Sequence, residues 1–275
     1  MKVLTLNTHS WLEENQEEKM QRLAKKIAEE SFDVIALQEV NQTAESNQVT
    51  SPFSFTQPAM AQIIKEDNFA LKLVTYLNEV YNLTYYWSWA YNHIGFDKYN
   101  EGVALLSKYP LKEVTTYSLS KATDPLDYHT RVALGATIDI HDKQAYHFIS
   151  LHASWWEREN KKYFPYEARQ LQKIKENQAL PVIIMGDFNN PCQKENEGYD
   201  LLLEQWFDSY QLAKETKGEY TMGGYIAGWD ASTPPLRIDF IFLSNEEPIK
   251  KAVICFDGKD EPVISDHFAY FIETE

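Results

Sequence analysis

The sequence predicts a single α/β domain in which strands and helices alternate along the chain. Three observations predict this class: ten short apolar runs typical of strands, three segments with helical spacing, and no Pro-, Gly- or Ser-rich linker. Several of the runs are apolar at nearly every position, which indicates strands that are buried on both faces. The whole chain, residues 1–275, therefore reads as one domain.

The predicted elements follow one another in a mixed order. The first helix carries Met20, Leu23 and Ile27 at spacings of three and four, so these side chains share one face. Two more helices are predicted at Asp67–Val80 and Tyr166–Glu176. The strands are predicted at Val3–Asn7, Val34–Gln38, Thr84–Trp89, Val103–Ser107, Val132–Ile140, Tyr146–Leu151, Val182–Met185, Ile238–Leu243, Ala252–Phe256 and Phe268–Ile272. The longest loops are expected at Asn41–Pro58, Asn92–Asn100 and Gly218–Pro235.

The charge balance is strongly acidic, with 41 Asp and Glu residues against 26 Lys and Arg and a net charge of −15. Long nucleic acids and anionic membranes are bound by basic surfaces, so we expect neither a stable nucleic-acid partner nor a membrane. No apolar run is long enough to cross a bilayer, and no secretory signal is expected, because the first residues read as a strand. Cys192 and Cys255 are expected to be reduced thiols, so the cytoplasm is the expected compartment. The sequence makes no prediction about oligomeric state.

Polar residues stand at or near the ends of six predicted strands. An ionisable side chain is costly to bury unless it is paired or bound to a metal ion. Any one of these residues alone would be interpreted as an ordinary turn residue or cap. Together they indicate one shared mouth where the side chains converge. They are Asn7, Glu39, His152, Asp187 with Asn189, Asp239, and Asp266 with His267.

Five motifs resemble those of the endonuclease/exonuclease/phosphatase superfamily, which has the deoxyribonuclease-I-like fold. They occur in the family's order and span residues 7 to 267. The resemblance implies a two-sheet β-sandwich flanked by helices, in four layers α/β/β/α. The motifs are Leu6-Asn7, Leu37-Gln38-Glu39-Val40, Gly186-Asp187-Phe188-Asn189, Arg237-Ile238-Asp239-Phe240-Ile241 and Ser265-Asp266-His267.

The resemblance implies a Mg²⁺ site, with Mn²⁺ as the alternative ion. Glu39 is the expected direct ligand, since Mg²⁺ prefers hard oxygen donors. Asn7 and Asp266 are expected to complete the surroundings of the ion. Whether the site holds one ion or two stays open.

The resemblance also implies catalytic roles for five residues. Asp187 is expected to orient or deprotonate the attacking water, and Asn189 to bind a phosphoryl oxygen. His267 contacts the phosphate or acts as the base, with Asp239 fixing its tautomer. Which of Asp187 and His267 takes the proton stays open at this stage. His152 is expected to stabilise the charge that develops on the phosphoryl oxygens.

The substrate is expected to be a small phosphorylated sugar. Arg131 matches a phosphate-contacting position, although a surface ion pair explains it almost as well. Trp155 and Trp156 follow His152, and Trp229 and Tyr225 lie in the loop before Asp239, where aromatic rings suit sugar binding. The segments Leu4–Trp11 and Ser150–Trp156 resemble a bacterial branch of the superfamily that includes maltose 6'-phosphate phosphatase.

Two alternatives remain open. A metal-dependent nuclease or phosphodiesterase would carry basic strips or a membrane-docking hairpin, whereas pairs such as Lys25-Lys26 and Lys161-Lys162 are scattered. A non-catalytic binding module would show decay of the motifs, and the principal positions are intact.

Overall fold

The computed structural model describes residues 1–141, 144–224, 229 and 234–275. Its helices, within these residues, are α1 (Gln16–Glu30), α2 (Phe69–Tyr81), α3 (Phe164–Glu176), α4 (Gly198–Leu203) and α5 (Ser209–Leu212), with a 3-10 turn at Ser10–Leu12. Its strands are β1 (Lys2–Asn7), β2 (Val34–Gln38), β3 (Gln42–Thr43), β4 (Tyr86–Gly95), β5 (Tyr99–Ser107), β6 (Lys112–Ser118), β7 (Val132–Asp139), β8 (Ala145–His152), β9 (Glu157–Arg158), β10 (Lys161–Lys162), β11 (Val182–Asp187), β12 (Phe207–Asp208), β13 (Ala213–Lys217), β14 (Asp239–Leu243), β15 (Ile249–Cys255) and β16 (Ala269–Thr274).

The strands of the described residues form two large mixed sheets. The first runs in the order β13-β15-β16-β1-β2-β5-β3, with β4 also paired to β5. The second runs in the order β12-β14-β11-β8-β7-β6. The two-stranded hairpin β9–β10 stands apart from both sheets.

The two sheets pack face to face because their strands are apolar on both sides. In β2, Val34 and Ala36 join a core shared with Phe148 and Ile183 of the second sheet. The alternate residues of each strand face outwards, as expected for a period of two. On the first sheet these outward residues pack against α1 and α2, and on the second sheet they pack against α3 and α4. The predicted four-layer α/β/β/α sandwich is confirmed.

All ten predicted strands and all three predicted helices are present, most with shifted ends. The loop predicted at Asn92–Asn100 is wrong, because β4 extends to Gly95 and β5 begins at Tyr99. These residues form a hairpin whose tip, Phe96-Asp97, has left-handed backbone angles. The hairpin was not predicted because the tip and the adjoining strand ends are mostly polar, so the sequence there lacks an apolar run.

The candidate site lies at one end of the sandwich. β1 and β2 are parallel neighbours, and Asn7 stands opposite Gln38 where both strands end. β8 and β11 are parallel neighbours in the second sheet, and His152 stands opposite Asp187. Asp239 begins β14 opposite Asp187 on the antiparallel side. The two sheets therefore bring their polar strand ends to one mouth. No described helix is long and apolar enough to cross a membrane.

Candidate active site

Asn7 and Glu39 meet where β1 and β2 end. The Asn7 amide donates hydrogen bonds to Glu39 Oε1 at 2.9 Å and to Asp187 Oδ2 at 3.2 Å. Asn7 is fully buried, so it lies behind the wall of the site and holds two carboxylates in place. Glu39 has a φ of 50°, a left-handed conformation that turns its side chain out of the strand direction.

Asp266 reaches the same mouth from the loop before β16. Its backbone N–H donates to Glu13 Oε1 at 3.1 Å, and the neighbouring Ser265 hydroxyl donates to the Asn7 carbonyl at 2.7 Å. His9 Nδ1 lies 2.8 Å from Glu13 Oε1 and 3.9 Å from Asp266 Oδ1. Ligand atoms of His9, Glu13 and Asp266 all lie within 4.8 Å of one another, close enough to surround a metal ion.

The donor set fits a hard divalent cation. Glu39 and Asp266 are carboxylates that line one cavity, and no Lys or Arg of the described residues forms an ion pair with either. Burial first, and then the nearby Asp266, raise the pKa of Glu39. A Mg²⁺ ion would offset this repulsion, and it takes oxygen ligands of this kind. Glu39 and Asp266 are the residues that would hold it, with the Asn7 amide fixing Glu39.

Asp187, Asp239 and His267 form a buried triad. His267 Nδ1 lies 2.9 Å from Asp239 Oδ2, and His267 Nε2 lies 3.7 Å from Asp187 Oδ2. Burial alone would lower the pKa of His267, but the carboxylates of Asp239 and Asp187 outweigh it and raise this pKa well above its ordinary value. Burial raises the pKa of Asp187 to about 7. These carboxylates favour the protonated ring of His267, and Asp187 is a carboxylate that can take up a proton near neutral pH.

His152 and Asn189 complete the group around Asp187. Asn189 Nδ2 donates to His152 Nε2 at 3.1 Å, so the ring carries its hydrogen on Nδ1. Burial, followed by the charge of Arg131, lowers the pKa of His152 well below its ordinary value, which favours the neutral ring. A neutral ring stabilises developing negative charge through its N–H and not as a cation. The Asn189 N–H donates to Asp187 Oδ1 at 2.8 Å.

These side chains surround a cavity of about 250 Å³, which we call the inner cavity. Arg131 lines it although its side chain is almost fully buried. The Nε and Nη1 groups of Arg131 have no hydrogen-bond partner among the described residues. Buried polar groups are normally hydrogen-bonded, so a cationic side chain without a partner in the lining of a cavity suits an anionic ligand. The alternative of a surface ion pair for Arg131 is wrong.

Glu101 belongs to the inner cavity and was not predicted as a site residue. Its Oε1 lies 3.5 Å from His93 Nε2 and 4.0 Å from His152 Nδ1. Burial, and then the charge of Glu39, raise its pKa to about 8. In the sequence, Glu101 stands directly before Gly102 and an apolar strand. This pattern alone does not distinguish a site residue from an ordinary turn residue.

A second cavity of about 680 Å³ adjoins the inner one, and we call it the tryptophan cavity. Trp155, Trp156 and Trp229 line it, as the sugar-binding prediction requires. Trp155, Arg158 and Asn189 line both cavities, so they form the boundary between them. Trp229 Nε1 donates to Asn189 Oδ1 at 3.4 Å. Tyr225 lies outside the described residues.

Of the twelve predicted site residues, eight line the inner cavity, and Trp156 and Trp229 line the tryptophan cavity. Asn7 and Asp239 lie directly behind the inner cavity, where they bond Glu39 and His267. Arg158 was not predicted at all, because a basic residue after two tryptophans has no distinguishing pattern in one sequence. The eight are Glu39, Arg131, His152, Trp155, Asp187, Asn189, Asp266 and His267.

A sequence profile of the Endonuclease/Exonuclease/phosphatase family matches residues 12–267. No curated protein matches the chain. Among solved structures, an endonuclease/exonuclease/phosphatase family protein from Leptotrichia buccalis C-1013-b is 32% identical, with a TM-score of 0.87 over 100% of this chain and 99% of that one.

Two more distant structures share the fold alone. A mannosyl-6-phosphatase from Bacteroides thetaiotaomicron VPI-5482 is 18% identical, with a TM-score of 0.67 over 100% of this chain and 99% of that one. D. rerio TDP2 complexed with a single-strand DNA product is 17% identical, with a TM-score of 0.63 over 99% of this chain and 97% of that one.

Proposed function

This chain belongs to the Endonuclease/Exonuclease/phosphatase family, and on that basis we propose that it is a magnesium-dependent phosphomonoesterase acting on a sugar phosphate. Members of the family hydrolyse phosphoester bonds and generally depend on a divalent metal ion. Maltose 6'-phosphate is the substrate that we expect, with the sugar and inorganic phosphate as products. Mn²⁺ is the alternative ion.

The observation that carries the proposal is the unsatisfied guanidinium of Arg131 inside the inner cavity. Its Nε and Nη1 atoms have no hydrogen-bond partner among the described residues, and Arg131 lines the cavity together with His152, Asp187 and His267. A phosphoryl group placed there would accept hydrogen bonds from Arg131 and from His267.

The same geometry supports an in-line attack by water. We assign Asp187 as the base, because burial raises its pKa to about 7, whereas the carboxylates of Asp239 and Asp187 raise the pKa of His267 well above its ordinary value. Asp239 holds His267 through Nδ1 and leaves Nε2 directed towards Asp187 and the cavity. Glu39 and Asp266 would hold a Mg²⁺ ion, which would supply charge neutralisation for the phosphoryl group.

Two features support a sugar phosphate as the substrate: the tryptophan residues beside the inner cavity and the acidic net charge of the chain. A net charge of −15 opposes the binding of a long polyanion. The free thiols Cys192 and Cys255 support a reducing compartment, and we propose the cytoplasm.

A substrate screen with Mg²⁺ tests the proposal. We expect phosphate release from maltose 6'-phosphate and little activity on plasmid DNA or sphingomyelin. DNA nicking of comparable efficiency would establish the nuclease alternative. Absence of hydrolysis in every assay, with sugar phosphate still bound, would indicate the binding module.

A further inference from the structure

The tryptophan cavity contains polar groups that the phosphoester chemistry does not use. Lys194 and Glu197 line it and do not line the inner cavity. Both belong to the segment between β11 and α4, and Lys194 is exposed. They therefore lie beside any part of a ligand that extends from the inner cavity past Trp155 into the tryptophan cavity.

The charges of this cavity balance. Among the described residues that line it, Arg158 and Lys194 are positively charged and Glu157 and Glu197 are negatively charged. A subsite for nucleic acid would carry an excess of positive charge. Equal numbers of cations and carboxylates next to aromatic rings instead suit the hydroxyl groups of an uncharged ligand, which both donate and accept hydrogen bonds.

The tryptophans hold these cations in place. The Arg158 guanidinium lies 4.5 Å from the centre of the Trp155 ring, and Lys194 Nζ lies 5.9 Å from the centre of the Trp229 ring. Cation–π contacts of this kind restrain long side chains, so less conformational freedom is lost when a ligand binds. The rings thus act partly as supports for polar groups and not only as stacking surfaces.

We propose that the tryptophan cavity is a subsite for a second, uncharged sugar ring, and that Lys194 and Glu197 are its specificity-determining residues. This inference rests on the proposed function. The phosphorylated ring passes Trp155 at the boundary of the two cavities, and the next ring reaches Lys194 and Glu197. A phosphorylated disaccharide is then preferred over a phosphorylated monosaccharide because it makes these additional contacts.

The test compares kcat/KM for maltose 6'-phosphate with that for glucose 6-phosphate. In Lys194→Ala and in Glu197→Gln we expect the ratio of the two values to fall by about tenfold, the loss of one hydrogen bond to a charged group. Glu195→Gln is the matched control, since Glu195 is exposed and lines neither cavity. An unchanged ratio in both variants would overturn the subsite.

A binding measurement separates this inference from the proposed function. The affinities for maltose and for glucose are measured by titrating each sugar and following the quenching of tryptophan fluorescence. Binding of these sugars does not depend on catalysis. We expect maltose to bind more tightly than glucose, and Lys194→Ala to remove about tenfold of that difference. Equal affinity for the two sugars overturns the subsite even in an active phosphatase. A chain that binds maltose in this way but hydrolyses no sugar phosphate retains the subsite and loses the proposed function.

Discussion

Asp187 is an almost fully buried carboxylate in the lining of the inner cavity. Asn7, Asn189, His152 and His267 all lie within 3.7 Å of its oxygens or hydrogen-bond to them. Burial favours the neutral form and the surrounding donors favour the charged form, so a pKa of about 7 results from two opposed effects. A group balanced in this way can accept a proton and release it again near neutral pH.

Replacing this carboxylate should remove catalysis without unfolding the chain. For Asp187→Asn we expect kcat to fall by about 10²–10⁴-fold, the usual contribution of a general base. The substituted amide keeps the size of the side chain, so the melting temperature should change little. Steady-state kinetics and thermal unfolding measure both quantities, and a kcat within tenfold of the wild type would exclude Asp187 as the base.

His147 allows a prediction about pH at a residue far from the metal ligands. Burial lowers its pKa from 6.5 to about 4. Below pH 6.5 His147 is protonated in the unfolded chain, but in the folded chain it is protonated only below about pH 4. The free energy of unfolding therefore falls as the pH drops from 6.5 to 4. For His147 alone the loss at pH 5 is about 2 kcal/mol.

Urea unfolding at pH 7.5 and pH 5 measures this loss. In His147→Gln the difference in unfolding free energy between the two pH values should shrink by about the same 2 kcal/mol. His141→Gln, at an exposed position, is the matched control. An equal pH dependence in wild type and His147→Gln would contradict the prediction.

At the scale of single elements, β8 and β11 approach closely at Gly186. A Cβ atom at this position would lie 1.9 Å from the Leu151 carbonyl oxygen, and the residue has a φ of 154°. The next residue along the strand is Asp187, so any displacement of β11 is passed directly to the site. Glycine is therefore required by the spacing of two backbones and not by a turn.

Gly186→Ala should consequently lower both stability and activity. We expect a loss of about 1–3 kcal/mol in the free energy of unfolding, as for overpacking in a core. Gly224→Ala is the control, because an added Cβ there meets no atom of the described residues within 4 Å. Chemical denaturation and kcat are the measurements. A stability equal to the wild type would show that the strands can separate without cost.

Sequence reasoning found the elements whose burial is regular. Strands such as β2 and β11 are apolar at nearly every position, because both of their faces are covered, and they were predicted to within two residues at either end. The missed strand β13 is an edge strand with the exposed sequence Ala213–Lys217, so its pairing with β15 leaves no apolar pattern. The missed strand β6 is likewise an edge strand and is mostly polar.

The site followed the same rule. Side chains at the ends of regular strands, such as Asp187 and His152, could be placed together from the sequence. Glu101 and Arg158 could not be placed in this way. Glu101 lies near the start of β5 in the β4–β5 hairpin, and Arg158 lies in the two-residue strand β9. Their positions depend on tertiary packing that has no period in the sequence.

At the scale of the whole molecule, the mouth of the sandwich brings together carboxylates from both sheets, among them Glu39 and Asp187. Mg²⁺ should therefore raise the melting temperature, by an amount corresponding to about 2.7 kcal/mol at a hundredfold excess over Kd. Glu39→Gln should abolish this response and make the metal-free protein more stable, since it removes one of the repelling carboxylates.

Thermal unfolding with Mg²⁺ or with a chelator measures the response. Glu45→Gln changes an exposed carboxylate elsewhere and serves as the control. If Glu39→Gln retains the full shift on adding Mg²⁺, the ion binds at other residues.

The hydrogen bond from the Ser265 hydroxyl to the Asn7 carbonyl joins residues that are 258 positions apart in the chain. Asn7 also bonds Asp187, 180 positions away. Closing such long loops is slow compared with forming helices or hairpins. During refolding, most secondary structure can thus appear before these three segments meet. Recovery of turnover would then report the last events of folding, and circular dichroism the earlier ones.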